Sequence, residues 1–233
     1  TTDGDKQYTV TAENYALPDM KIVKRDAMSG KPIAGTVFSV KSVIGNYSTS
    51  VTTGTDGSAT LSAIPAGVYV VREESVPEPY IVSNTEQTVA LRPGKTSEVI
   101  FVDYEKPGLE ILKKNIATGE PIEGVTYLIE QIDGSYSTSA TTDSAGRIFL
   151  ANIPVGSYKV TEKNVPSHVI LSEIPQEVYL EAGCTRTVTF FNAVKPSLTI
   201  LKRNSITGDY LANAKFHIYY GSDNTTTGEI NDL

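Results

Sequence analysis

The sequence predicts an all-β chain: tandem antiparallel β-sandwiches arranged as an elongated string. Three observations lead there. Thr, Val, Ile and Tyr are plentiful, Trp is absent, and 18 Gly and 12 Pro punctuate the runs, which is the composition of short strands and tight turns. No segment sustains a helical period. Most informative is a pattern that returns at a fixed spacing. "KIVKRD" (Lys21 to Asp26) recurs as "EILKKN" (Glu110 to Asn115) and "TILKRN" (Thr199 to Asn204), so 113 − 24 and 202 − 113 both equal 89. A strict period of that length marks equivalent small domains, not one large core.

The elements follow in order. Residues 1–17 hold "YTVTAENYALP", which matches "VIFVDYEKP" and "VTFFNAVKP" and is expected as the last strand of a preceding repeat. A first full domain is expected over 18–106. Its opening strand places Met20, Ile22 and Lys24 on one face, because alternate residues of a strand share a side. The turn "DAMSGKP" ends it. Next come "GTVFSV", the "NYSTS" strand, the turn "GTDGS" and the corner "IPAGVY". Tyr69, Val71 and Glu73 then share a face, and so do Val99, Phe101 and Asp103 in the closing strand.

A second domain, 107–195, repeats this without a gap: Leu109, Ile111 and Lys113; Tyr158, Val160 and Glu162; Val188, Phe190 and Asn192. The joints "YEKPGLEI" and "NAVKPSLTI" are short and carry a proline, which restricts the backbone and favours a semi-rigid string. Residues 196–233 open a third, partial domain and lose the register in "YYGSDNTTTGEINDL".

Several function classes are excluded at this level. The net charge is −7 and the basic residues are dispersed, which argues against nucleic acid as a partner. No run approaches the ~20 apolar residues of a membrane span, so no membrane insertion is expected. One cysteine and two histidines support neither a disulfide staple nor a zinc site; no metal and no cofactor are expected. Cys184 falls where the preceding repeat has Lys95, a turn position expected to be exposed. His168 and His217 have no serine, cysteine or metal partner, so nothing suggests turnover of a substrate. The chain shows no signal peptide, sorting motif or wall anchor and reads as an internal piece of something longer.

The residues held in phase carry the chemistry. Lys24 and Lys113, Glu73 and Glu162, and Asp103 and Asn192 each end an alternating apolar row, so each is expected to point into its sandwich. A single bulge would reverse a face. An inward lysine and glutamate are costly unless they pair or neutralise. Desolvation lowers a lysine pKa and raises a glutamate pKa. A neutral lysine is a nucleophile, and a neutral glutamic acid can polarise a carboxamide and shuttle protons. Beside an Asx side chain, the amine can attack Cγ and form an amide, releasing ammonia from Asn or water from Asp. Packing supplies the proximity that an external catalyst would otherwise provide.

The combination "K-R-D-x-x-S/T-G-K/E-P-I-x-G", "P-x-G-x-Y-x-V-x-E-x-x-V-P" and a last strand ending in Asx resembles the CnaB-type (collagen-adhesin B-region) domain, over essentially the whole chain. That resemblance implies an Ig-like, transthyretin-like sandwich with a Lys–Asn or Lys–Asp isopeptide bond assisted by Glu. Carried over, Lys24 would join Asp103 with Glu73 assisting, and Lys113 would join Asn192 with Glu162 assisting. Asp103 departs from the more usual Asn, and an ionised Lys24–Asp103 salt bridge competes with the amide there. Asn14 and Lys202 are the unpaired equivalents at the partial ends. Lys202 is expected to stay unlinked unless another chain completes it, for instance with the Asn14 strand of a second molecule.

The implied function is a stalk or shaft repeat of a Gram-positive surface adhesin or pilus-like protein, extracellular and attached to the cell wall. Its partners would be neighbouring repeats of the same longer chain. A host extracellular protein or glycan would be met through another region. The alternative is an adhesive module that binds a host protein or glycan directly, through loops such as "GNYSTS" and "GSYSTS"; a groove or aromatic patch confined to one repeat would favour it. A true enzyme is the third reading, and the cross-linking step itself would be one self-modification per domain.

Overall fold

The period-2 alternation of the sequence becomes fourteen strands in a computed structural model that describes residues 9–218. The chain divides into two units, Thr1–Val194 and Lys195–Leu233. The first unit contains two seven-stranded sandwiches. Domain one is built from β1 (Asp19–Asp26), β2 (Val37–Ser42), β3 (Ser48–Thr52), β4 (Ser58–Leu61), β5 (Gly67–Ser75), β6 (Glu86–Leu91) and β7 (Thr96–Asp103). Domain two repeats the order with β8 (Gly108–Asn115), β9 (Thr126–Gln131), β10 (Ser137–Thr141), β11 (Arg147–Leu150), β12 (Gly156–Asn164), β13 (Gln176–Leu180) and β14 (Thr185–Asn192). There is no helix among the described residues.

Each sandwich packs a three-stranded sheet, β4-β1-β7 or β11-β8-β14, on a four-stranded one, β3-β2-β5-β6 or β10-β9-β12-β13. All pairs are antiparallel but one in each domain. The first and last strands, β1 with β7 and β8 with β14, lie side by side in parallel. The expected antiparallel sandwiches are present; the one parallel pair in each arises because the five intervening strands form the long crossover that parallel neighbours require. The chain therefore enters and leaves each sandwich at opposite ends of that pair.

The cores are aliphatic and aromatic. Met20, Ile22, Phe38, Tyr69, Val71 and Phe101 fill one, and Leu109, Ile111, Tyr127, Ile129, Tyr158 and Phe190 are among those filling the other. The "P-x-G-x-Y" corner has a physical purpose: the Tyr69 and Tyr158 hydroxyls donate to the carbonyls of Pro65 and Pro154, 2.8 Å each, so a large buried ring keeps its polar end satisfied. At the joint, the Gly183 N–H donates to Glu105 C=O (2.7 Å) and Gly108 N–H to Cys184 C=O (3.0 Å).

The flanking segments differ from the sequence expectation. Residues 9–17 form no strand, although "YTVTAENYALP" matches a closing strand. In the second unit, Ser197–Asn204 matches β1 and β8 yet also forms no strand; an isolated Arg203–Tyr210 bridge remains. A strand is stabilised by its ladder, and among the described residues neither segment pairs with a second strand. The segment over 219–233 lies outside the described residues.

Candidate functional site

Each sandwich gathers its site from both sheets. In domain one, Lys24 comes from the middle strand β1, and Asp103 ends β7, two register positions beyond Phe101, which faces Lys24. Glu73 comes from β5 in the opposite sheet, where it pairs with Phe38 of β2. A bulge follows Glu73 immediately, so that Ser75 faces Val37, and it leaves the glutamate on its inward face. Domain two has the same plan: Lys113 on β8, Asn192 ending β14, and Glu162 on β12 opposite Tyr127, again followed by a bulge. Relative exposures are 0% for Lys24 and Lys113, 2% for Glu73, Glu162 and Asp103, and 3% for Asn192. Charged groups at such depth are costly unless matched.

A glycine seats each lysine. Lys24 N–H donates to Gly57 C=O and Lys113 N–H to Gly146 C=O, both at 2.7 Å. Gly57 has φ +71°, and a Cβ there would lie 2.6 Å from Lys24 O and 2.8 Å from Pro32 Cβ. The turns "TDG" and "SAG" thus need glycine for both conformation and space.

The domain-one centre holds two carboxyl groups and one amine. Lys24 Nζ donates to Glu73 Oε2 at 2.7 Å and lies 2.5 Å from Asp103 Oδ1. That second contact lies off the hydrogen-bonding direction, and Asp103 Oδ1, Asp103 Oδ2 and Glu73 Oε1 are buried without a hydrogen-bond partner. Burial pushes the Glu73 carboxyl up to about 7; Lys24 opposes the shift and the neighbouring Asp103 adds to it. Glu73 therefore takes up its proton as the pH falls through about 7.

The domain-two centre is more fully satisfied. Lys113 Nζ donates to Glu162 Oε2 at 2.5 Å, and the Tyr127 hydroxyl donates to the same oxygen at 3.2 Å. Glu162 Oε1 accepts from Asn192 Nδ2 (2.5 Å) and from the Ser172 backbone N–H (3.0 Å). Asn192 Oδ1 is buried without a hydrogen-bond partner. The lysine nitrogen lies 5.9 Å from the Tyr127 ring centroid and 5.7 Å from that of Phe190. Burial lowers the Lys113 pKa, while Glu162 opposes the shift.

The structure thus brings together Lys24, Glu73 and Asp103, and separately Lys113, Glu162 and Asn192. Asn14 and Lys202 are exposed and belong to neither group. Lys21, on the other face of β1, pairs with Glu98 at 3.1 Å near the surface. His168 is exposed, and no cluster of metal-ligating side chains occurs among the described residues. Sequence reasoning missed Tyr127 and Ser172. The signal for Tyr127 was present: it stands 89 residues after Phe38, an inward aromatic that gains a hydroxyl in only one repeat.

With the fold and both centres described, the sequence comparison decides the family. Residues 18–105 and 107–194 each match the SpaA prealbumin-like fold domain. The chain belongs to that family. No curated protein matches it in sequence. Among solved structures, these tandem prealbumin-like domains are similar to the TIE protein of Bacillus anthracis, with 23% identity and a TM-score of 0.42 over 77% of this chain and 34% of that one. They are similar also to the minor pilin of Streptococcus agalactiae (18% identity, TM-score 0.40, 79% of this chain and 99% of that one). The shaft pilin of Lactobacillus rhamnosus GG is a third (16%, 0.46, 78% and 99%). The chain spans about a third of the Bacillus anthracis chain.

Proposed function

We propose that this chain is a structural segment of a bacterial surface stalk or pilus-like shaft, in which each prealbumin-like domain locks itself with one intramolecular amide. The observation that carries the reading is the paired set of buried centres, each with a lysine amine against a glutamate and an Asx on the strand beside it. In domain one, Lys24 Nζ bonds to Asp103 Cγ and one Asp103 oxygen leaves as water, taking both protons that Nζ sheds. In domain two, Lys113 Nζ bonds to Asn192 Cγ and Nδ2 leaves as ammonia. One Nζ proton goes to the leaving nitrogen and the other to Glu162. Either step removes the buried ammonium and replaces it with a neutral amide.

The parallel pairing of first and last strands gives the bond its mechanical purpose. Tension enters at the start of β1 and leaves at the end of β7, so an amide from Lys24 to Asp103 takes the load before it reaches the rest of the sandwich. The self-modification happens once per domain and has no turnover. Neighbouring repeats of the same longer chain are the partners, on the outside of the cell and attached to its wall. A host protein or glycan is met through another region.

The intact mass of the denatured chain tests this. Two bonds remove about 35 Da, one of water and one of ammonia, about 18 and about 17 Da. A deficit of about 17 Da alone would leave Lys24 and Asp103 as a salt bridge, and a full-length mass without deficit would refute the cross-linking reading.

A further inference from the structure

The entry to each sandwich is built alike. Three backbone bonds tie the incoming chain to the domain that follows, and each recurs 89 positions on. Gly94 N–H donates to Ala16 C=O (2.6 Å) as Gly183 N–H does to Glu105 C=O (2.7 Å). Ile64 N–H donates to Pro18 C=O (3.1 Å) as Ile153 N–H does to Pro107 C=O (3.2 Å). Asp19 N–H donates to Lys95 C=O (3.1 Å) as Gly108 N–H does to Cys184 C=O (3.0 Å). A tyrosine stands beside the turn glycine both times, Tyr15 at Gly94 and Tyr104 at Gly183.

Between the two sandwiches the chain is also tied backwards. Tyr104 C=O accepts from Ile81 N–H (3.0 Å), and Lys106 N–H donates to Pro79 C=O (2.9 Å), both partners lying in domain one. Lys106 Nζ adds a bond to Glu78 Oε1 at 2.7 Å. Residues 104 to 107 are thus held alternately by domain one and domain two. A hinge needs residues free to change φ and ψ, and here each residue carries a bond and Pro107 has its φ fixed. Side chains complete the seat. A Cβ on Gly183 would lie 2.9 Å from Tyr104 Cδ1 and 3.3 Å from Met28 Cγ, so the turn backbone rests directly on both. Gly183 has φ +73°, which suits glycine. Domain two has Ala117 and Ala193 at the places of Met28 and Tyr104, yet it builds the same sandwich. Neither side chain is needed for the fold, and both are spent on the joint.

We propose that Met28 and Tyr104 form a docking surface whose partner is the entry turn of the following repeat, here residues 181–184, and that this seat locks the two sandwiches into one body at a fixed angle. Relative motion is the default for linked domains. The alternating bonds and the two side chains on Gly183 oppose it. The inference takes its purpose from the stalk reading above. An amide inside each domain resists stretching but does nothing for the joint, and a stalk resists bending only where its joints do.

The test uses the full chain, isotopically labelled and weakly aligned in a dilute liquid-crystalline medium. Residual dipolar couplings of the backbone N–H groups are measured in both domains. One alignment tensor should fit the two together in the unaltered chain. Replacing both side chains, Met28→Ala with Tyr104→Ala, should leave both sandwiches folded, since domain two already carries alanine at these places. The common tensor should be lost, and exchange of the Gly183 amide should quicken by about tenfold, the worth of one backbone hydrogen bond. Two unequal tensors in the unaltered chain would overturn the proposal, and so would a common tensor that survives the double replacement. Intact mass of the same samples reads the amides independently. A missing mass deficit beside a common tensor would refute the cross-linking reading and leave the docking surface standing.

Discussion

Replacing Asn192 with alanine isolates the energetic worth of the domain-two amide. The change removes Cγ, the atom attacked by Lys113, but leaves Lys113 paired with Glu162, so no buried charge is orphaned. The covalent loop opens. The Asn192 Nδ2 hydrogen bond to Glu162 adds nothing to the loss, because that nitrogen has already left as ammonia in the linked domain. Lys113 and Asn192 stand 79 positions apart, and the chain-entropy treatment used for disulfides gives about 4.5 kcal/mol for a loop of that length. That is a large part of the 5–15 kcal/mol that holds a typical domain. For a domain of this size it lowers the melting midpoint by at least about 18 °C. Differential scanning calorimetry of the full chain reads it directly, with domain one as the internal reference. The mass should rise by about 17 Da plus the change of side chain. A variant that loses the ammonia deficit yet shifts the midpoint by less than about 10 °C would refute the loop-entropy argument.

The remaining expectations are of several kinds. Glu73→Gln should abolish the domain-one bond alone, leaving a deficit of about 17 Da by intact mass, because Gln cannot relay a proton between Nζ and the leaving oxygen. Gly146→Ala should cost about 1–3 kcal/mol by thermal melting and slow cross-linking of domain two, since Gly146 has φ +66° and the added Cβ would press on the Lys113 carbonyl. Under single-molecule force, an unlinked domain of 89 residues extends by about 300 Å at ~3.4 Å per residue. The linked chain should show no such step, and Asn192→Ala should restore one of them.

Particular residues show what was legible in advance. Met20, Ile22 and Lys24 could be placed on one face because alternation in a strand is a local geometric rule, and the 89-residue phase identified Glu73 and Asp103 without reference to distance. Their approach was less accessible. That β1 lies beside β7, in parallel, depends on how the five strands between them cross over, and no local pattern encodes a neighbour that distant. Tyr127 shows a different limit. Its position was readable as core, but its hydroxyl gained a role only when β9 and β12 brought it opposite Glu162.

The sequence by itself determined whatever is local: the repeat, the strand faces, the glycine turns and the identity of the inward polar residues. The third copy shows this well. Its turn forms as in the complete domains, with Gly208 N–H to Asn204 C=O at 3.0 Å where Gly30 N–H meets Asp26 C=O at 2.9 Å, because that bond needs no partner beyond the turn. The strand that leads into it does not form, and Lys202 stays exposed, whereas Lys24 and Lys113 are buried completely. Only the tertiary structure decided that difference. A ladder and a low-dielectric core require segments remote in the chain, and it is the core that turns an ordinary lysine into one held against a carboxyl group.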